Sequence, residues 1–208
     1  MGPSARRVPA AITGFGGATA RAGHDLGYSA RAGLLRGPQP AVPSAQVADG
    51  AGAMSAVAGI ALALLRRART GRGGKVDISL TDAATALCTE AWARAEGDGD
   101  DAESLLDGSR PCYTLYRAAD GWLAVAALEP KFWSVFCAEL GRADLVDCAF
   151  DRDPRVRTAV AAALGQHSVR AWVERFRGED ACVEPALSLD AVAADPERVV
   201  RGVVPSQE

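Results

Sequence analysis

Three short segments, far apart in the chain, each place an ionisable side chain beside glycine or proline. They are GHDLGYSARAGLL from Gly23, QVADGAGAMSAVAGI from Gln46 and AALEPKFW from Ala126, and their candidate residues are His24, Asp49 and Glu129. Regular backbone is interrupted at such positions, so a site for a ligand can form there. An imidazole and two carboxylates are groups that proteins use to move protons, which makes acid–base chemistry the first hypothesis.

The chain has two histidines, so any imidazole chemistry must use His24 or His167. His24 lies at the start of a predicted helix, where it can donate or accept a proton near neutral pH if a carboxylate orients it. Glu129 is the candidate for that carboxylate. A purely structural His24 remains an open alternative. His167 precedes another predicted helix, and we expect it in an exposed turn without a functional role.

Asp49 lies in the first turn of an apolar helix, where the helix dipole favours a carboxylate. The neighbouring Gly50 and Gly52 leave room for a ligand, and amide groups near them could hydrogen-bond a developing oxyanion. The alternative is that Asp49 simply caps the helix. The spacing alone does not choose between these two roles.

Composition and charge favour a protein that works on small molecules. Of the 208 residues 49% are hydrophobic, which is enough for a sizeable core. A net charge of −3 argues against a nucleic-acid binder. Five cysteines without a CxxC pair favour a reducing cytoplasm, and no segment is expected to enter a membrane. There is no P-loop, HExxH or paired CxxC motif, and we expect no metal site.

The first half of the sequence predicts elements of an α/β unit. Residues 8–13 predict a strand that runs into the glycine turn 14–17, and residues 24–35 predict a helix. From Gln46 to Leu65 nearly every position is small or apolar, which predicts a buried helix followed by a basic stretch. Residues 76–80 predict a strand, and Thr81 is the expected N-cap of a helix that reaches about Ala95.

The second half predicts a β-hairpin followed mainly by helices. Its strands are Tyr113–Tyr116 and Trp122–Leu128, with an Asp120-Gly121 turn. Pro130 suits the first position of a helix through Leu140, so Glu129 is expected at the strand-to-helix junction. We divide the chain into a partial α/β domain with the catalytic helices, a linker, a small α+β domain and a C-terminal return segment. Their ranges are 1–97, 98–111, 112–180 and 181–208, and the acidic GDGDDAES from Gly97 begins the linker.

These segments, together with RARTGRGGKVDISLTDAA, PCYTLYRAADGWLAVAALEPKFW and DACVEPALSLDAV, resemble the family III CoA-transferase superfamily (CaiB/BaiF-like). Within it the chain is most similar to the α-methylacyl-CoA racemase branch, in the family's order over about residues 13–195. The resemblance implies an α/β fold that is shortened at its N-terminal nucleotide-binding half. It also implies a small α+β domain containing a β-hairpin.

The resemblance implies a 1,1-proton transfer at the carbon beside an acyl-CoA thioester, with no metal or redox cofactor because the CoA thioester is the substrate. His24 and Asp49 match the histidine and aspartate that serve opposite faces of this carbon, and Glu129 matches the glutamate that pairs with the histidine. We predict substrate contacts at five nearby residues. They are Gly23, Asp25, Tyr28, Gly50 and Gly52.

Two other functions remain open. Transferases of the superfamily use the aspartate at the Asp49 position as a nucleophile, and they generally lack the histidine and the glutamate matched by His24 and Glu129. The chain could also be a non-catalytic partner subunit or remnant. Whichever function the chain has, we expect a homodimer, or a heteromer with a chain that supplies the missing half. The thioester could be carried on CoA or on another carrier.

Overall fold

The chain forms two compact units, Met1–Ala102 and Glu103–Glu208. The computed structural model describes residues 7–17, 21–36, 40–95 and 105–202. The division between the units lies inside the predicted linker 98–111. The acidic segment predicted from Gly97 lies outside the described residues.

The first unit is built on two parallel strands with helices in the connection between them. Strand β1 (Ala10–Thr13) pairs in parallel with β2 (Val76–Ser79), and Ile12 lies opposite Ile78. Parallel strands require a long crossover. Helices α1 (Asp25–Arg31) and α2 (Val47–Thr70) supply it, and α3 (Leu80–Ala86) and α4 (Thr89–Ala95) follow β2. The predicted α/β arrangement of this half is therefore confirmed.

The start of α3 differs from the prediction. Ser79 caps this helix, because its hydroxyl accepts a hydrogen bond from the amide of Asp82 at 3.1 Å. Thr81 instead donates its hydroxyl proton to the carbonyl of Gly14 at 2.8 Å. Thr81 was thus wrong as the N-cap, and its side chain fixes the glycine turn after β1 against α3.

Helix α2 was predicted to be buried, and within this chain it is not. Its buried residues are Ala48, Gly52 and Ala56. Larger side chains of the same helix are open to solvent, with Met54 79% and Val57 71% exposed. In the part of the unit that the structure describes, α2 packs through its small-residue side, because a two-stranded sheet cannot cover both sides of so apolar a helix.

The length and mean hydropathy of α2 also meet the requirements of a membrane span, although the sequence analysis expected none. Length and composition alone are weak evidence for a membrane span. Core helices of globular proteins share these properties. The exposure of α2 therefore raises the question of what covers it.

The second unit carries an antiparallel sheet with the strand order β3-β4-β5. Strands β3 (Tyr113–Arg117) and β4 (Trp122–Ala126) form the predicted hairpin, and β5 (Val183–Pro185) pairs with β4. The helices are α5 (Pro130–Leu140), a 3-10 helix (Ala143–Cys148), α6 (Pro154–Leu164), α7 (Val169–Arg175), α8 (Leu189–Ala193) and α9 (Pro196–Val200). Strand β5 joins the beginning of the predicted return segment to the sheet of the small domain.

The core of the second unit is much larger than that of the first. Trp133, Phe136 and Trp172 are almost completely buried, and Phe176 stacks on both Phe136 and Trp172. The indole N–H groups of the two tryptophans are satisfied by the carbonyls of Leu145 and Leu164. The buried aromatic cluster gives Glu129, at the start of α5, a rigid support.

Prediction. Replacing Gly52 by valine destabilises the chain by about 1–3 kcal/mol relative to replacing Gly50 by valine, because overpacking a filled site carries that cost. A β-carbon at Gly52 would run into the side chain of Leu80, whereas one at Gly50 meets nothing within 4 Å. Both changes put the same residue into one helix, so urea unfolding midpoints compare them directly. Equal midpoints would contradict the described packing of α2 on α3.

Candidate active site

His24 is the residue immediately before α1, and its side chain is exposed. Its backbone is extended (φ −135°, ψ 170°), and its carbonyl accepts hydrogen bonds from the amides of Gly27 and Tyr28. The backbone of His24 is therefore fixed by the first turn of α1. Its imidazole is left to face solvent rather than the core, which is the arrangement that proton exchange with a ligand requires.

Asp49 is the third residue of α2, and its side chain is half-buried. His24 and Asp49 line the same open cleft of about 560 Å³. Its other walls are Asp25, Leu26 and residues 42–46, which lead into α2. The structure therefore brings together two of the three predicted ionisable residues, each at the N-terminal end of a helix.

Asp25 connects the beginnings of the two helices. One of its carboxylate oxygens accepts a hydrogen bond from the backbone amide of Asp49 at 2.9 Å. The other oxygen accepts a longer bond, 3.4 Å, from the hydroxyl of the buried Ser29. The first amides of a helix have no partner within it. The Asp25 carboxylate, at the start of α1, is the hydrogen-bond acceptor for the Asp49 amide in the first turn of α2.

This contact was not predicted from the sequence. Asp25 was expected to touch the substrate, and nothing in its spacing from Asp49 pointed to a bond between them. The only local signal was the separation of Asp25 and Ser29 by four residues, which puts both on one side of α1. A hydrogen bond between residues 24 positions apart depends on how the helices pack, which the sequence pattern does not specify.

The oxyanion donors that were expected near Asp49 are partly occupied. The amide of Asp49 donates to Asp25, and the amide of Gly50 donates to the carbonyl of Gln46 at 3.0 Å. A donor that already has a partner does not stabilise a developing negative charge without giving up that bond. These two amides are therefore poor candidates for an oxyanion hole.

The remaining predicted contact residues differ in their surroundings. Tyr28 is buried, and its ring packs edge-on against Phe15 at 5.0 Å, in the small core of the first unit. Gly23 allows this packing, since a β-carbon there would come within 2.6 Å of the Tyr28 ring. Gly50 is exposed, whereas Gly52 makes room for Leu80. The substrate contacts predicted for these four residues stay predictions.

Glu129 belongs to the second unit. It is the residue before α5, with Pro130 as the first helical residue, as predicted. Its side chain is exposed, and its carbonyl accepts from the amides of Phe132 and Trp133. Burial and then the carboxylates of Glu129 and Asp180 raise the pKa of the Cys182 thiol. The pairing of Glu129 with His24 stays a prediction.

No group of three or more His, Cys, Asp or Glu side chains in the described ranges is arranged to hold a metal ion. The cleft of the first unit offers an imidazole and two carboxylates at its rim. These groups can move protons, and Asp49 can also act as a nucleophile.

The family model for CoA-transferase family III matches residues 6–207. The chain belongs to this family. Human (Homo sapiens) alpha-methylacyl-CoA racemase is 33% identical over 214 residues, which cover 95% of this chain and 56% of that protein. Mouse (Mus musculus) succinyl-CoA:glutarate CoA-transferase is 27% identical over 93% of this chain and 48% of its own length.

Solved structures show the same fold. The Mycobacterium tuberculosis protein Rv3272 superposes with a TM-score of 0.76 at 24% identity, over 94% of this chain and 56% of that one. A CaiB/BaiF family protein from Brucella suis gives 0.73 at 24% identity, over 95% and 57%. The chain thus spans about half the length of the relatives it matches. The predicted family and fold are confirmed.

Prediction. Replacing Glu129 by glutamine lowers the pKa of the Cys182 thiol, because one of the two carboxylates that disfavour the thiolate loses its charge. The iodoacetamide alkylation rate of Cys182, followed by peptide mass spectrometry across pH, therefore shifts to lower pH. Glu184→Gln is the matched control, since Glu184 is not among the causes of the shift. An unchanged profile in the Glu129 variant would contradict the described position of the Glu129 carboxylate.

Proposed function

We propose that this chain takes part in the epimerisation of an acyl-CoA, or of another acyl thioester, at the carbon beside the thioester carbonyl. The observation that carries the proposal is that His24 and Asp49 line one cleft from the starts of two helices. Membership of CoA-transferase family III supports a thioester substrate. The similarity to a protein named as a racemase supports the reaction type.

The reaction requires a base and an acid on opposite sides of one carbon. In one direction neutral His24 removes the α-proton, its electron pair moves into the thioester as an enolate, and a protonated Asp49 delivers a proton to the other face. In the reverse direction the two residues exchange roles. Either group can exchange its proton with water through the open cleft, so the mechanism predicts incorporation of solvent hydrogen.

Glu129 is proposed to orient His24 and to stabilise the imidazolium that forms when His24 takes the proton. A carboxylate hydrogen-bonded to one ring nitrogen fixes the tautomer of the histidine. Its exposed position before a rigid, well-packed helix supports a role toward a ligand or another part of the assembled site. The five free cysteines support a reducing compartment, in agreement with a cytoplasmic enzyme.

The alternative is a CoA-transferase in which the Asp49 carboxylate attacks the thioester carbonyl. That attack would release the CoA thiolate and leave an acyl anhydride on Asp49. The half-buried Asp49 at an open cleft and the similarity to proteins named as CoA-transferases favour this candidate. The presence of both His24 and Glu129 supports the racemase.

We also propose that a second polypeptide chain, either another copy of this one or a different subunit, covers the apolar side of α2. Exposed apolar surface of this size is costly in water. Met54, Val57 and Leu62 are all at least two-thirds exposed, and Ile12 of the two-stranded sheet is 54% exposed.

Prediction. The purified full-length chain, incubated with a 2-methylacyl-CoA in deuterated water, replaces the α-proton by deuterium. His24→Ala and Asp49→Asn each lower the exchange rate by about a hundredfold or more, because each removes one of the two proton-transfer groups. NMR or mass spectrometry of the recovered thioester measures the rate. Circular dichroism establishes that each variant is folded.

A folded wild-type chain that exchanges no faster than a His24→Ala, Asp49→Ala double variant, both alone and together with any subunit that co-purifies with it, would overturn the epimerase proposal. Hydroxylamine added during turnover distinguishes the transferase mechanism from the epimerase mechanism. It converts an acyl group on Asp49 into a hydroxamate that peptide mass spectrometry detects, and the epimerase leaves Asp49 unmodified.

Prediction. Replacing Val57 and Leu62 by glutamate disrupts the assembly, because charges then have to be buried at the contact. Light scattering after size-exclusion chromatography should show a multimer for the wild type and a smaller species for the variant. Leu189→Glu is the matched control, since Leu189 is an exposed leucine outside α2. A wild-type chain that is monomeric and soluble when purified without other subunits would contradict coverage by a second copy.

A further inference from the structure

We infer that Asp25 is a positioning residue for the proposed proton transfer, acting through the backbone of Asp49 rather than through contact with substrate. This inference rests on the proposed function. Its physical basis is the 2.9 Å hydrogen bond from the amide of Asp49 to the Asp25 carboxylate.

The bond replaces a cap that α2 does not supply for itself. Gln46 is the N-cap residue of α2, and its side chain makes no capping hydrogen bond. The amide of the third helical residue is normally satisfied by an N-cap side chain. Here a carboxylate from α1 satisfies it. The negative charge also lies at the positive end of the α2 dipole, which strengthens the contact.

The same carboxylate joins both proposed proton-transfer groups. Asp25 follows His24 directly in the chain, and α1 begins at Asp25. A displacement of the Asp25 side chain therefore changes the position of the Asp49 backbone relative to that of His24. The hydroxyl of Ser29 supports the second oxygen of Asp25 from the buried side of α1. Two groups that must act on opposite faces of one carbon tolerate little error in their separation.

A test compares Asp25→Ala with Asp25→Asn in the full-length chain. Asparagine keeps an oxygen that can accept the Asp49 amide proton, and alanine does not. Asp25→Ala should lower kcat for deuterium exchange by about tenfold to a hundredfold, as expected for misplaced reacting groups, with little change in KM. Asp25→Asn should retain most of the wild-type kcat. Asp77→Ala is the matched control, because it removes a carboxylate from a surface ion pair with Lys75 in the same unit.

Hydrogen exchange of the Asp49 amide, measured on the same samples by NMR, gives a readout that does not depend on activity. Losing the hydrogen bond in Asp25→Ala should speed this exchange by roughly fivefold, while Asp25→Asn stays near wild type. If Asp25→Ala does not fold, Asp25→Glu replaces it. Glutamate keeps the charge but moves the carboxylate oxygens. A positioning role therefore predicts a lowered kcat, whereas an effect of charge alone predicts an unchanged kcat.

An unchanged exchange rate of the Asp49 amide in Asp25→Ala would contradict the hydrogen bond between Asp25 and Asp49. Faster exchange of the Asp49 amide with an unchanged kcat would overturn the positioning role. A change confined to KM would also overturn it and would make Asp25 a substrate contact. A wild-type chain without proton exchange would instead overturn the proposed function, and the amide measurement would still decide whether the hydrogen bond exists.

Discussion

The arrangement of the candidate site depends on the hydrogen bond between the Asp25 carboxylate and the Asp49 amide. α1 and α2 are separated in sequence by a proline-containing connection, and each begins at the cleft. Tyr28 and Ala32 pack against Ala48 in the core of the unit, and the hydrogen bond adds a fixed polar contact at the ends where His24 and Asp49 lie. One charged hydrogen bond therefore caps α2 and links the starts of the two helices that carry His24 and Asp49.

The candidate site lies in the unit with the smaller hydrophobic core. Among the described residues of the first unit, the buried apolar cluster has four members, Tyr28, Ala32, Ala48 and Ala84, three of which are alanines. The second unit, by contrast, has a core with four large aromatic side chains stacked in a row, Trp133, Phe136, Phe176 and Trp172. A small core next to a long exposed apolar helix is the energetic pattern of a protein that gains stability when its remaining surface is covered. In the proposed account, assembly and the formation of a working site are linked.

The local elements were largely predictable because they follow from residue chemistry within a few positions. Pro130 predicted the start of α5 and Gly71 marks the left-handed end of α2, since each residue has a backbone preference that needs no knowledge of the rest of the fold. The burial of α2 was not predictable in this way. Its sequence is that of a helix covered on all sides, and the hydrophobic pattern carries no information about what covers it.

The same limit applies to the site. His24 and Asp49 were found from their residue types and their neighbouring glycines, whereas the Asp25 contact required the packing of α1 against α2. The most direct measurement is a crystal structure of the assembled protein with a 2-methylacyl-CoA or a planar enolate mimic bound. The account predicts that the α-carbon lies between the His24 imidazole and the Asp49 carboxylate, about 3–3.5 Å from each and on opposite faces. A ligand bound away from this cleft, or with both groups on one face of the carbon, would contradict it.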